Sequence, residues 1–295
     1  MIQDIAPHTF DNSFKQIKPT LKDFVLSFQG KTSLTKSKED FIQCPTFQDL
    51  SIDTKNAIYL FSIDDHPYFL VSDVPEQNGF TYQPLRPVTK SQPDYFGFAY
   101  ATGFHLYDWY RNRIYCGRCQ TKLQPGTTER SLVCPNCGVI EYPRIFPAVI
   151  IAVTHKDQIL LAQYPHMKKQ VLLAGFVEIG ETLEETVARE VYEEVGLKVK
   201  NIRYYKSQPW GIVSDVLAGF YCELDSKKEI RLDTNELKCA YWISRDELRY
   251  GKENLDGSLT SEMIYQFKMD NYRYNYLDIS YLKSSSNDSK LSPFV

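Results

Sequence analysis

Three glutamates, Glu190, Glu193 and Glu194, stand in a run over residues 175–197, GFVEIGETLEETVAREVYEEVGL, with Gly175, Glu181, Arg189 and Gly196 at fixed intervals around them. Adding aliphatic Val191 and Leu197, the run reads G-x5-E-x7-R-E-U-x-E-E-x-G-U without a mismatch, U being aliphatic. On a helix, positions i, i+3 and i+4 are neighbours, so the three carboxylates share one narrow sector and repel one another. A hard divalent cation relieves that repulsion. Mg²⁺, which takes a few carboxylates together with waters and phosphate oxygens, suits a diphosphate substrate. A solvated acidic helix face is the plainer reading of a bare acidic cluster, but seven specified residue types in one register argue against it.

A second chemical constellation lies upstream. Cys116 and Cys119, then Cys134 and Cys137, form two C-x-x-C pairs with fourteen residues between them. Four thiolates at this spacing close a tetrahedral Zn²⁺ site that leaves no position for substrate, so a structural role is expected. A redox C-x-x-C would need no second copy at this distance. A ribbon this short has almost no core, and metal binding and local folding should therefore be one event. Cys44, Cys222 and Cys239 are scattered, read as small buried hydrophobes and suggest no disulfide framework.

The elements that must position these groups follow from capping and periodicity. Thr182 is a good N-cap and Glu185 completes a capping box, so a helix is expected from there until Gly196 supplies a left-handed C′ residue. Leu183, Val187, Val191 and Val195 give it an apolar stripe that seats the acidic face at the edge of a cleft. Residues 144–153 and 158–163 read as buried strands around a polar turn at His155, Lys156 and Asp157, and 171–176 leads into the acidic run. Further strands are expected over 199–208 and 214–224, with a closing helix over 259–274. A sheet with helices on both faces is an α/β/α sandwich. Upstream, 56–73 predicts a hairpin turning at residues 64–67, and 94–112 a helix; His66 and His105 lack partners and receive no role. The fold class is thus α/β: a mixed α+β N-terminal domain (1–112), a zinc ribbon (113–143), the sandwich (144–282) and a polar tail (283–295).

The net charge of −3 argues against bulk electrostatic capture of nucleic acid or an anionic membrane and leaves a local basic patch open. The N-terminus lacks a basic and an apolar signal region, and the longest apolar run, 146–153, is too short to span a bilayer. A cytoplasmic protein without a membrane partner is expected.

The 175–197 run resembles the signature of the Nudix hydrolases, which cleave nucleoside diphosphates linked to another moiety. The ribbon just before it, and Ser207, Gln208, Pro209 and Trp210 just after it, are similar to the zinc-containing NADH pyrophosphatase branch. The similarity covers about residues 98–275. It implies a Nudix sandwich, hydrolysis of NAD(H) to nicotinamide mononucleotide and AMP, removal of the NAD cap from the 5′ end of RNA, and a homodimer. It further implies Zn²⁺ on the four cysteines, and Mg²⁺ or Mn²⁺ on Glu190, Glu193, Glu194 and, in NELKCAYW, Glu236, with Glu193 or Glu194 taking the proton of the attacking water. Phe176 matches an aromatic that stacks on nicotinamide, and Tyr142 one that closes over the site from the partner subunit. Glu129, the Ala174 backbone and Arg86 match other substrate contacts.

The sequence also departs from that branch. The family usually continues its SQPW as PFPxS, whereas Gly211, Ile212, Val213, Ser214 and Asp215 follow here. A family alanine near the last helix is Thr260. Loss of the prolines and gain of a carboxylate bear on substrate choice rather than on hydrolysis. An ADP-ribose or other dinucleotide hydrolase is therefore a competing reading, and a non-catalytic nucleotide sensor or nucleic-acid-binding module another; the intact acidic set opposes the last.

Overall fold

The computed structural model describes residues 1–165, 167–225 and 227–272, so the tail expected over 283–295 lies outside the described residues. Two compact units divide the chain. The first comprises Met1–Ala148, Gln208–Leu217 and Asp256–Ser258, and the second Val149–Ser207, Ala218–Leu255 and the described residues 259–272.

In the first unit the expected hairpin pairs Ile58–Ile63 with His66–Leu70. Its turn is Asp64 and Asp65, both left-handed (φ 50° and 63°), a conformation that a short polar side chain tolerates. His66 and Pro67, expected in the turn, lie in the second strand instead. Phe10–Asp11 and Phe24–Leu26 complete a four-stranded sheet with this hairpin; a second sheet joins Phe28–Gln29, Thr32–Lys38, Phe41–Gln43 and Thr81–Pro84. The helix Asp94–Asn112 forms as expected and buries Tyr100 and Phe104 against Leu26, Phe28 and Phe61. It lies so close that a Cβ on Gly103 would meet the Leu26 side chain at 2.3 Å. At its far end Trp109 packs with Cys116, Leu123, Leu132 and Cys134, which carries the helix into the ribbon.

The ribbon itself is a three-stranded antiparallel sheet of Gln124–Pro125, Leu132–Val133 and Ile140–Glu141. Each cysteine pair ends in a left-handed residue, Gln120 (φ 62°) and Gly138 (φ 72°), which turns the chain back so that both sulfurs of a pair face the same point.

The six-stranded sheet, most of whose residues belong to the second unit, has the order Val199–Trp210, Asp215–Leu224, Phe146–His155, Gln158–Gln163, Cys239–Ser244, with Leu173–Phe176 paired to Phe146–His155. Alternation along the strands assigns their faces. Val149, Ile151, Val153, Phe220 and Cys222 pack with Val187, Val191 and Val195 of the helix Leu183–Val195. On the opposite face Gly219 lies against Met263, and the Tyr221 hydroxyl donates to the Met263 carbonyl at 2.7 Å, which seats the helix Leu259–Lys268. Because both faces are covered, the central strands read as continuous apolar runs rather than alternating ones. Each fully buried valine of the acidic helix contributes about 1.5–3 kcal/mol, enough to hold its register. The closing helix stops at Lys268, short of the expected 274, because Asp270 turns left-handed (φ 57°). Among the described residues no helix is long and apolar enough to cross a membrane.

Candidate active site

The acidic helix begins and ends as its sequence dictates. Glu185 N–H donates to Thr182 Oγ1 (3.2 Å), Thr182 N–H donates to Glu185 Oε2 (2.8 Å), and left-handed Gly196 (φ 68°) closes the last turn. Both caps together fix where each carboxylate emerges. Glu190 is 9% and Glu194 only 2% exposed, whereas Glu193 points into solvent.

Arg189 organises this face. Its guanidinium grips Glu181 through two bonds of 2.6 and 2.9 Å, and donates to Glu190 Oε1 and Glu193 Oε2 at 2.9 Å each and to the Phe176 carbonyl at 3.0 Å. The bidentate contact holds the Glu181 carboxyl down to about 2. The signature marked Arg189 and Glu181 by type but assigned them no task; their work is to set the strand end at Phe176 against the carboxylates. Gly175 has an equally local reason, since a Cβ there would lie 1.9 Å from the Glu190 carboxyl carbon. Only glycine lets that side chain cross the strand.

Burial, first of all, pushes the Glu194 carboxyl up to about 8, and the charges of Glu190, Glu236 and Asp233 add to it. Glu190 is raised by burial too, with Glu193 and Glu236 contributing repulsion. Glu236 is exposed on a loop tied to the end of the acidic helix: Asp233 N–H donates to the Glu194 carbonyl and Arg231 N–H to that of Val195, both at 2.9 Å. Asp233 and this tether carry no signal in the sequence. Oε2 of Glu194 is buried and has no hydrogen-bond partner among the described residues. A buried, unpartnered carboxylate oxygen amid like charges is costly by itself, and a divalent cation would offset that cost. Glu190, Glu193, Glu194 and Glu236 are oxygen donors of the class that a hard cation such as Mg²⁺ or Mn²⁺ takes.

The four ribbon cysteines fit Zn²⁺. Their sulfurs all lie within 4.8 Å of one another, with separations of 3.4–3.6 Å between Cys119 and Cys134, Cys119 and Cys137, and Cys116 and Cys137. A tetrahedron with Zn–S of about 2.3 Å has edges of about 3.8 Å. Backbone N–H groups of Arg118 and Cys137 donate to the sulfurs of Cys116 and Cys134, and the Thr121 hydroxyl helps hold the Cys119 thiol down to about 5.

The other expected residues are distributed over both units. In the first unit the Tyr142 hydroxyl donates to Glu129 Oε1 at 2.8 Å, and Tyr142 is 51% exposed. Arg86 is exposed on the short helix Leu85–Val88. Gln208 is fully buried, its amide donating to Gln3 Oε1 (3.1 Å) and to the Gly257 carbonyl (2.8 Å). Pro209 is exposed, and Trp210 packs on the N-terminal core. In the second unit Phe176 is 57% exposed at the end of its strand, Ser207 is exposed, and Thr260 is half-buried in the first turn of the closing helix. The Ala174 N–H is engaged by the Tyr164 hydroxyl at 3.2 Å.

The departing segment 211–214 is a turn with a packing reason. A Cβ on Gly211 would lie 2.2 Å from the Ala101 carbonyl, and Ile212 is buried in the N-terminal core. Asp215 follows at 7% exposure, its Oδ1 unpartnered, and desolvation raises its carboxyl from 3.8 to about 6. A carboxyl raised on folding gives stability that is complete below its unfolded value and is lost as pH rises through the folded one. Asp215→Asn should therefore melt higher than the parent at pH 8, by at most about 3 kcal/mol at about 1.36 kcal/mol per unit, and the difference should shrink towards pH 4. A difference independent of pH in thermal melts would contradict this burial of charge.

Known proteins place the chain. The NUDIX domain family matches residues 144–263. A NAD-capped RNA hydrolase NudC of Escherichia coli (strain SMS-3-5 / SECEC) is 37% identical over 76% of this chain and 85% of its own length. Another, from Escherichia coli O1:K1 / APEC, is 46% identical over 50% of this chain, which there spans only 57% of that relative. Among solved structures, a NUDIX hydrolase from Nitrosomonas europaea superposes with a TM-score of 0.46 at 23% identity, covering 55% of this chain and 93% of that one. With one relative so similar over most of both chains, and the NUDIX domain matched across the acidic helix, the chain belongs to the Nudix hydrolase family, in the branch that includes these NudC proteins.

Proposed function

We propose that the protein is a metal-dependent pyrophosphatase that hydrolyses NADH and NAD⁺ to the nicotinamide mononucleotide and AMP, and that it removes the NAD cap from the 5′ end of RNA. The observation that carries this reading is the buried Oε2 of Glu194, which has no hydrogen-bond partner among the described residues and feels the charges of Glu190 and Glu236. The similarity to NAD-capped RNA hydrolases supports the cap-removal half of it. When bound, Mg²⁺ or Mn²⁺ neutralises the diphosphate and makes an attacking water more acidic. Glu190, Glu193, Glu194 and Glu236 hold that cation, and Glu193 or Glu194 accepts the water's proton. Arg189 keeps Glu190 and Glu193 from swinging out to solvent. Zn²⁺ on Cys116, Cys119, Cys134 and Cys137 has a structural role. The working form is a cytoplasmic homodimer, in which Tyr142, held by Glu129, covers the partner's site.

Phe176 selects the substrate in this reading. Its exposed ring stacks on a flat base, and such stacking is worth about 1–3 kcal/mol by alanine substitution. ADP-ribose has no second base to stack. Phe176→Ala should thus raise KM for NADH by about tenfold and leave KM for ADP-ribose nearly unchanged. Equal losses on both substrates in steady-state assays would show that ring stacking is not the selector.

A further inference from the structure

Tyr164 belongs to no motif. It follows the strand Gln158–Gln163, and its ring packs against the core of the second unit. Its hydroxyl donates to Glu194 Oε1 at 2.9 Å and accepts the Ala174 N–H at 3.2 Å, with the Ala174 carbonyl at 3.4 Å. One hydroxyl has a single proton and two lone pairs, so giving the proton to Glu194 while accepting from Ala174 satisfies it. A single oxygen atom thereby ties the acidic helix to the strand Leu173–Phe176.

This makes the two oxygens of Glu194 inequivalent. Oε1 is taken by Tyr164, whereas Oε2 is buried without a partner among the described residues. The terminal torsion of a glutamate is broad and roughly two-fold, so nothing in the side chain itself would choose between them. The packed tyrosine ring makes that choice.

We infer that Tyr164 is a positioning residue: it pins Oε1 of Glu194 and so assigns Oε2 as the oxygen offered to the divalent cation and to the attacking water. The catalytic half of this inference rests on the proposed pyrophosphatase reading; the metal-binding half does not. Tyr164→Phe keeps the ring and its packing while removing the pin.

The test uses the full chain. Free Mn²⁺ is titrated by electron paramagnetic resonance without substrate, and NADH hydrolysis is followed at saturating Mn²⁺. A hydrogen bond to a charged group supports an expected loss of roughly tenfold in Mn²⁺ affinity and roughly tenfold in kcat. KM for NADH should change less than about twofold, because the substrate's own contacts remain. A purely structural tie would lower the melting temperature and leave Mn²⁺ affinity and kcat at the parental values, which overturns the inference. A double-mutant cycle guards against a folding defect: if Tyr164 acts through Glu194, adding Tyr164→Phe to Glu194→Gln weakens Mn²⁺ binding no further. An additional loss of about tenfold in the double variant would overturn the assignment. Should the parent hydrolyse no dinucleotide, the pyrophosphatase reading fails while the Mn²⁺ titration still decides the role of Tyr164.

Discussion

Glu194→Gln will remove most turnover, by on the order of 10²-fold or more, and leave the fold intact. The loss follows from deleting a charge where the substrate's own charge must be offset, together with the oxygen that is free to take a proton. Retention of the fold follows from the surroundings of this side chain. Glu194 is 2% exposed and crowded by Glu190, Glu236 and Asp233, and its carboxyl is already pushed up to about 8 by burial. A neutral amide of the same shape removes repulsion and keeps a hydrogen-bond acceptor for Tyr164. Metal-free Glu194→Gln should accordingly melt no lower than the metal-free parent. Parental turnover in this variant would mean that the acidic helix is not the reaction centre.

The second large effect is expected at the ribbon. Cys119→Ser should bring zinc content well below one equivalent per chain and lower the thermal midpoint, since binding of a structural Zn²⁺ carries about 10–16 kcal/mol of apparent free energy in ribbon-sized peptides. The ribbon's apolar core is small: Trp109, Leu123 and Leu132 beside the cysteines themselves, with Tyr110 and Val139 packed against them. The chemistry should suffer indirectly. Glu129 and Tyr142 are bonded to each other on this module, so if they contact substrate as proposed, zinc loss would raise KM more than it lowers kcat. Elemental analysis and a melting curve check both halves. Full zinc occupancy in the variant would show that the four sulfurs are not a ligand set.

Legibility in the sequence tracked how local each cause is. The acidic helix could be read to the residue because Thr182, Glu185 and Gly196 act within one turn of its ends. The ribbon was equally plain, since spacing alone brings its cysteines together. The helix Asp94–Asn112 was legible too, although its reach into the ribbon through Trp109 was not. Most of the N-terminal sheets were hidden, because strands such as Phe24–Leu26 and Phe41–Gln43 are too short for a period of two to show. The end of the closing helix was misjudged for a similar reason: a left-handed aspartate, rather than glycine or proline, stops it.

Within the site, residue types could be read and their partners could not. Glutamates at i, i+3 and i+4 announce a cation, but Arg189 bridging Glu181, Glu190 and Glu193 requires the strand and the helix together. Tyr164 and the Asp233 tether approach Glu194 from segments thirty or more residues away, which no local pattern encodes. Gln208 shows the converse, a motif residue whose side chain is consumed in packing.

The most direct test of the central claim is product analysis. Purified protein is incubated with Mn²⁺ and NADH, and the nucleotides are separated by chromatography. Equal amounts of reduced nicotinamide mononucleotide and AMP, abolished in Glu194→Gln, are the predicted result. NADH left intact under conditions in which the same protein cleaves ADP-ribose would contradict the account.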